Sequence, residues 1–427
     1  MSDFRSTRRQ FVQSVAAVGL LGPVMVSSAG AASGPNDRIN VGFIGVGTMG
    51  RGHLRKLLGQ KDVQVVAVCD VVAERRDDAK RIVEEHYAKQ NDLGTYSGCA
   101  AINDLREVLG RKDVDAVVIA TPDHWHAVAS ILAARAGKDI YCEKPLTHSI
   151  AEGRRIVETV RSNKVIFQTG SQQRSEFGGL FRKAVEYIRN GAIGRVHTVR
   201  VGVGGPPVAC DLPEQEIPTG TDWNLWCGPG PLRPYNEVLC PKGVHKHFPA
   251  WRQYREYGGG AMADIGAHHF DIAEWALNMD GSGPVLIEPP SGDATTGLKF
   301  VFSNGVEMFH GGPSGCTFEG TTGTIYVDRG KLTSTPETIL QTELGPDAWR
   351  CYPSTDHVRN WLDCIRSRQQ PICTAEIGNR SAAICHLANI GYELRRTLRW
   401  SPSQERFLDD EAANKLLDRV PREPWNV

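Results

Sequence analysis

The chain has 427 residues, enough for two to three domains with cores of their own. Apolar residues make up 41% and charged residues 23%, an ordinary globular balance. Basic and acidic residues number 49 each, and a net charge of zero argues against nucleic acid or an anionic membrane as the main partner. The 45 glycines suit a loop-rich α/β chain better than a helical bundle.

Residues 1–32 read as an export signal rather than as fold. Thr7-Arg8-Arg9-Gln10-Phe11-Val12 resembles a twin-arginine motif, residues 15–26 are apolar but interrupted by Gly and Pro, and Ala29-Gly30-Ala31 offers small residues for cleavage. A buried N-terminal helix is the competing reading, which Gly and Pro disfavour. No other stretch is apolar and long enough to span a bilayer in the mature chain. The expected location is periplasmic, or otherwise exported by that pathway in folded form.

Residues 39–44 are a short β-branched run that reads as a buried strand, followed by Gly45-Val46-Gly47-Thr48-Met49-Gly50 and a helix through residue 58. Strands are then expected at 63–69, 114–120, 139–142 and 165–169, with helices at 73–88, 124–136 and 150–161. That alternation predicts a doubly wound parallel sheet over residues 36–170. The remainder, 171–427, reads as a second, α+β domain with a largely antiparallel open sheet. Its helices are expected at 177–189, 260–277, 357–366 and 377–395. Its strands are expected at 196–203, 285–287, 298–302, 306–309 and 323–327, and a polar tail wraps the surface. Residues 206–251 show no periodicity and read as a substrate-facing loop region. The 11 cysteines include no Cys-x-x-Cys pair and are expected mostly as free thiols, with a late bond among Cys210, Cys227 and Cys240 left open.

The glycine loop follows a strand, opens a helix and has Asp70 at the end of the next strand, the full setting of a dinucleotide fingerprint. Gly45 permits the turn, Gly47 lets backbone approach a pyrophosphate, and Gly50 lets helix and strand pack closely. Thr48 and Met49 supply N–H groups at the helix start. Asp70 would bind ribose hydroxyls and favours NAD, while nearby Arg75 and Arg76 keep NADP open. Thr121-Pro122-Asp123-His124-Trp125-His126 and Glu143-Lys144-Pro145 close successive strands at the edge where ligands sit. Thr121, Pro122, His124, His126, Glu143 and Lys144 are therefore placed at the cofactor. Pro145 disfavours a helical Lys144. The bland alternative is a lysine snorkelling at a loop edge.

Asp264 and His268, four apart in one helix, form an acid–imidazole pair, and Asp271 continues the stripe. A surface ion pair is the commoner fate of that spacing. A metal site adding His245 and His247 matches no standard ligand set. Trp223, Trp226, Tyr235 and Trp251, with Arg233 and Arg252, suit a sugar, although loop aromatics more often just pack. Arg174, Trp251 and Arg252 join Lys144 and His268 as the expected substrate contacts.

These motifs, in this order, resemble the Gfo/Idh/MocA family of sugar and cyclitol oxidoreductases over nearly all of the mature chain. The run around residues 411–425 looks like the exported branch. The resemblance implies a Rossmann domain plus an open-sheet α+β domain often used for homo-oligomers. It places the family's lysine on Lys144 and its Asp and His on Asp264 and His268. It implies oxidation of a secondary alcohol, with His268 as base oriented by Asp264 and Lys144 polarising the oxygen. Export implies a cofactor that stays bound and is reset by a second substrate. The alternative is an NAD-dependent glycoside hydrolase, in which transient oxidation, elimination of the aglycone and return of the hydride give no net redox change. A nucleotide-binding sensor without catalysis is the third reading.

Overall fold

A computed structural model describes residues 38–427. The expected export signal lies outside the described residues. Six short apolar runs become six parallel strands: β1 (Ile39–Ile44), β2 (Val63–Cys69), β3 (Ala100–Ile102), β4 (Ala116–Ile119), β5 (Asp139–Cys142) and β6 (Phe167–Thr169). They lie in the order β3-β2-β1-β4-β5-β6. Every pairing is parallel. Alternation sorts their side chains between two cores: Ala116 and Val118 face one, Val117 and Ile119 the other. The helices are α1 (Thr48–Leu58), α2 (Ala73–Gln90), α3 (Leu105–Leu109), α4 (Asp123–Arg135) and α5 (Ile150–Asn163). Ser149 and Glu152 start α5 with a capping box. The short β3 and α3 carry too little periodicity to be read from sequence. Strand order turns from β1 to β4, so a crevice opens beyond the carboxyl ends of these strands.

The second sheet has eight strands: β7 (Val196–Gly202), β8 (Leu286–Glu288), β9 (Lys299–Val301), β10 (Glu307–Gly320), β11 (Thr324–Val327), β12 (Leu332–Thr335), β13 (Leu398–Ser401) and β14 (Arg406–Phe407). Sequence ends β10 at residue 309, because Gly311-Gly312-Pro313 reads as a turn. The strand resumes beyond it: Thr198 of β7 lies opposite both Glu307 and Glu319.

Helices α6 (Leu180–Arg189), α7 (Trp223–Cys227), α8 (Gly260–Asp264), α9 (Gly266–Ala276), α10 (His357–Ser367) and α11 (Ala375–Leu394) complete the frame. The helix expected from residue 177 begins three residues later, since Phe177, Gly178 and Gly179 all have positive φ. The helix expected at 260–277 divides at Ile265. Trp361 and Leu362 of α10 pack into a core of the first sheet. The tail does more than wrap. Its β13 and β14 extend the second sheet, and buried Trp425 meets Trp125 edge-on at 4.7 Å. All 11 cysteines are buried and free, including Cys210, Cys227 and Cys240, which share a cluster with Trp223 and Trp226. Among the described residues no helix is long and apolar enough to cross a membrane.

One buried group in α9 works against stability. Glu274 is buried and its Oε2 has no hydrogen-bond partner. Burial, with Asp280 and Asp271 nearby, raises its carboxyl well above the usual range. A raised acid stabilises the fold fully only below the unfolded carboxyl's titration, and that stability is lost as pH climbs toward the folded value. Glu274→Gln is therefore expected to unfold in denaturant like the native protein near pH 4 and to gain a stability advantage that widens toward pH 7. An advantage independent of pH would contradict this.

Candidate functional site

A cleft of about 370 Å³ runs from the glycine loop, past the carboxyl ends of β1, β4 and β5, to the start of α9. At one end the loop is shaped for a close ligand. Gly45 has φ of +87°, and a side chain there would meet the Ala120 backbone at 2.8 Å. Nothing lies within 4 Å of a Cβ built on Gly47, whereas one on Gly50 would strike the Gly45 carbonyl oxygen. Gly50 thus serves packing, and Gly47 faces open space. The start of α1 has no capping side chain and no acidic residue in its first turn, leaving its N–H groups for an anion. Asp70 closes this end, its two oxygens accepting from Val46 N (2.9 Å) and Val72 N (3.0 Å). Each oxygen retains a lone pair for a ribose hydroxyl. The neighbouring arginines are occupied. Arg75 Nε donates to Gly243 O at 2.9 Å and its Nη2 to Pro241 O. Arg76 Nη1 donates to Asp70 O and Asn103 Oδ1. With both guanidinium groups engaged and a carboxylate at the ribose position, the cradle fits NAD better than NADP.

A strap from the long loop region, residues 239–252, roofs the cleft. Thr48 Oγ1 donates to His247 O at 2.8 Å, and buried Arg51 donates through Nη2 to His245 O at 2.5 Å. His245 and Phe248 line the cleft from above. Burial, then the Arg75 charge, pushes the His245 imidazole down to about 4, so it is neutral. Sequence gave no pattern for His245 and His247; their work is to cover the glycine loop. Among the described residues no group of three or more His, Cys, Asp or Glu could hold a metal ion.

At the other end lie Lys144, Asp264 and His268, gathered as expected but paired differently. α8 stops at Asp264, which frees that residue's carbonyl. Lys144 Nζ takes it at 2.7 Å and takes the Asp264 carboxylate, Oδ1, also at 2.7 Å. Asp264 therefore anchors Lys144 and not His268. Burial opposes its charge, but Lys144 and then Arg252 hold it below the usual carboxylate range. His268 lines the cleft with Nδ1 buried and unpartnered. Burial, then the charges of Lys144 and Arg329, lowers it well below an ordinary histidine. It stands as a neutral imidazole. Glu143 supports the lysine loop: its Oε1 meets His53 Nε2 at 2.6 Å and accepts from Gln172 Nε2 at 2.8 Å.

Several expected contacts prove to be framework. His126 is buried with Nδ1 2.7 Å from Pro145 O and Nε2 3.0 Å from Thr121 O, tying the two motif loops together. His124 is buried with Nε2 2.9 Å from Trp226 O, pinning the loop region to α4. Burial pushes it down to about 3. Neither histidine lines the cleft. Arg174 is 2% exposed and makes forked pairs with Asp271 and Asp280, away from the cleft. Asp271 thereby leaves the catalytic stripe. Trp223 stacks on Trp226 at 4.5 Å, and Trp223 and Tyr235 are core rather than sugar platform. Trp251 and Arg252 do line the cleft, with Arg252 4.2 Å over the Trp251 ring.

Sequence reasoning missed Asp123, Gln172, Glu176, Phe248 and Arg329, which all line the cleft. Asp123 sits inside a motif already singled out. Burial pushes its carboxyl up to about 8, so it is protonated at neutral pH. Arg329 lies on a β-turn far along the chain and carries no local signal.

Residues 39–171 match the family model "Oxidoreductase family, NAD-binding Rossmann fold", and residues 208–427 match "Oxidoreductase family, C-terminal alpha/beta domain" of the same group. The chain is 23% identical over 384 residues to a myo-inositol 2-dehydrogenase of Thermotoga maritima, covering 84% of this chain and 98% of that protein. It is 31% identical over 186 residues to a glycosyl hydrolase family 109 protein of Shewanella sp., covering 42% of this chain and 35% of that one. The solved aldose-aldose oxidoreductase of Caulobacter crescentus superposes with a TM-score of 0.57 at 16% identity, over 85% of this chain and 99% of that one.

Proposed function

The chain belongs to the Gfo/Idh/MocA family of NAD-binding oxidoreductases, and on that premise we propose that it oxidises a secondary alcohol of a sugar or cyclitol with a nucleotide it does not release. The observation that carries this reading is Lys144, anchored twice on Asp264 beside a neutral His268, in one cleft with the glycine loop. An ammonium has three N–H groups, and two are spent on Asp264. The third is left for the reacting hydroxyl, whose oxygen it stabilises as the proton departs. His268, neutral and open to the cleft, takes that proton. NAD, when bound, would supply the hydride acceptor, and Asp70 and the N–H groups of Thr48 and Met49 would hold its ribose and pyrophosphate.

The strap supports retention. Bonds from Thr48 and Arg51 tie it to the glycine loop, over the cleft that would hold the nucleotide. Arg51→Met removes a charged donor, and release of nucleotide on dialysis is expected to quicken roughly tenfold or more. The measurement is acid extraction of nucleotide from purified protein before and after dialysis. NAD(H) near one per chain in the native protein, and depleted in the variant, is the expected result; a native protein purified empty would refute the reading.

We further propose that residues 1–32 direct twin-arginine export, which carries a folded protein with its cofactor inside. The similarity to a glycosyl hydrolase family 109 protein keeps a second chemistry in view. An aryl glycoside that releases its phenol without net NADH would favour cleavage over oxidation.

A further inference from the structure

The cleft end that holds Lys144 carries more fixed positive charge than its carboxylates balance. Lys144 and Arg252 share the one carboxylate of Asp264. Glu176 also lines the cleft but is paired with Lys56, and Glu143, hydrogen-bonded to His53, adds the one other carboxylate against the three cations Lys144, Arg252 and Arg329. Asp123 is protonated there at neutral pH. Arg329, on the turn between β11 and β12, makes no ion pair among the described residues. Its sequence neighbour Asp328 is engaged by the Tyr326 hydroxyl and the Gly330 amide.

Arg329 is nevertheless held in place. Its Nε donates to Gln173 Oε1 at 3.0 Å, and its guanidinium carbon stands 4.9 Å from the centre of the Phe177 ring. Gln173 is buried and donates in turn to the backbone oxygen of His268 at 3.1 Å. The two terminal nitrogens of Arg329 make no hydrogen bond among the described residues. A planar fork fixed at its root, with its tips unspent, matches a carboxylate.

We propose that the reacting sugar or cyclitol carries a carboxylate, and that Arg329 takes it in a two-bond contact at the Lys144 end of the cleft. This rests on the oxidoreductase reading and narrows its substrate class. A phosphate ester would bring the same sign of charge. The Asp264 carboxylate beside Arg252 opposes the second negative charge that a phosphate ester brings. The bound anion would also offset the Arg329 charge felt by His268, easing proton uptake there.

Calorimetric titration of the nucleotide-loaded protein tests this. The probes are D-glucuronate, D-galacturonate, D-glucose, D-galactose and D-glucose 6-phosphate, with absorbance at 340 nm read on the same mixtures. At least one uronate should bind tenfold or more tightly than its neutral counterpart and than the phosphate. Arg329→Gln should erase that preference with nucleotide content unchanged. A neutral sugar or the phosphate binding as well as the acids, a preference that survives Arg329→Gln, or no binding by either acid would overturn the proposal. The 340 nm signal separates the two claims. A uronate that binds without reducing the nicotinamide leaves the carboxylate site standing and counts against the dehydrogenase reading. Neutral sugars oxidised with no preference for acids do the reverse.

Discussion

Replacing Lys144 by methionine is expected to slow hydride transfer by roughly 100- to 10,000-fold while leaving the fold and the bound nucleotide in place. The side chain lies at the mouth of β5 with its ammonium on Asp264. Methionine keeps most of the aliphatic stem and deletes the charge. Asp264 is not stranded, because Arg252 remains within 3.5 Å and the carboxylate keeps partial contact with solvent. Stability should change little. Single-turnover reduction of the bound nicotinamide at 340 nm, beside a denaturant titration, reads both effects. A Lys144→Met protein as fast as the native one would move the chemistry elsewhere in the cleft.

Arg174→Met is expected to behave in the opposite way, costing about 3–5 kcal/mol of stability and leaving the chemistry of the molecules that fold intact. Arg174 is fully enclosed, with Asp271 on one edge of its fork, Asp280 on the other and Trp275 beneath it at 4.8 Å. The substitution strips Asp271, whose carboxyl burial already raises above the usual range, of its cation and leaves the Ser381 hydroxyl as its remaining partner. The loss should appear as a lower denaturation midpoint with an unchanged slope. Arg174→Met combined with Asp271→Leu should recover part of it, because the orphaned buried acid is then gone. A selective loss of activity with no loss of stability would restore Arg174 to the substrate site.

The contrast between these two residues shows where sequence was informative. Lys144 was legible because it ends a buried strand in a short motif, and strand ends in a doubly wound sheet point at the crevice. The strands at 63–69 and 139–142 appear with the expected bounds, as short, mostly apolar segments set between helices. Arg174 follows a strand as well, but its partners Asp271 and Asp280 lie about a hundred residues away, and no local pattern announces a buried pair. Distance likewise hid the role of His124, whose Nε2 meets Trp226 O 102 residues on, while His126 joins two motif loops through the carbonyls of Thr121 and Pro145, a contact no periodicity marks. Asp264 and His268 were read as a pair on one helix. The helix divides between them, and Lys144, 120 residues earlier, takes the acid. β10 was cut short because Gly311-Gly312-Pro313 is a turn in any local reading, and only pairing with β7 extends the strand past it. The strands β12 and β13 are four residues each, too short to show a period.

On the proposed reading, one chain carries one captive nicotinamide through oxidation and resetting. The most direct test is a single pulse of oxidisable sugar given to purified protein freed of loose nucleotide, followed at 340 nm. Absorbance should rise to about one reduced nicotinamide per chain, stay with the protein on gel filtration, and be erased by a second, carbonyl-bearing sugar. A rise that appears only when free NAD is supplied, and that elutes apart from the protein, would contradict that reading.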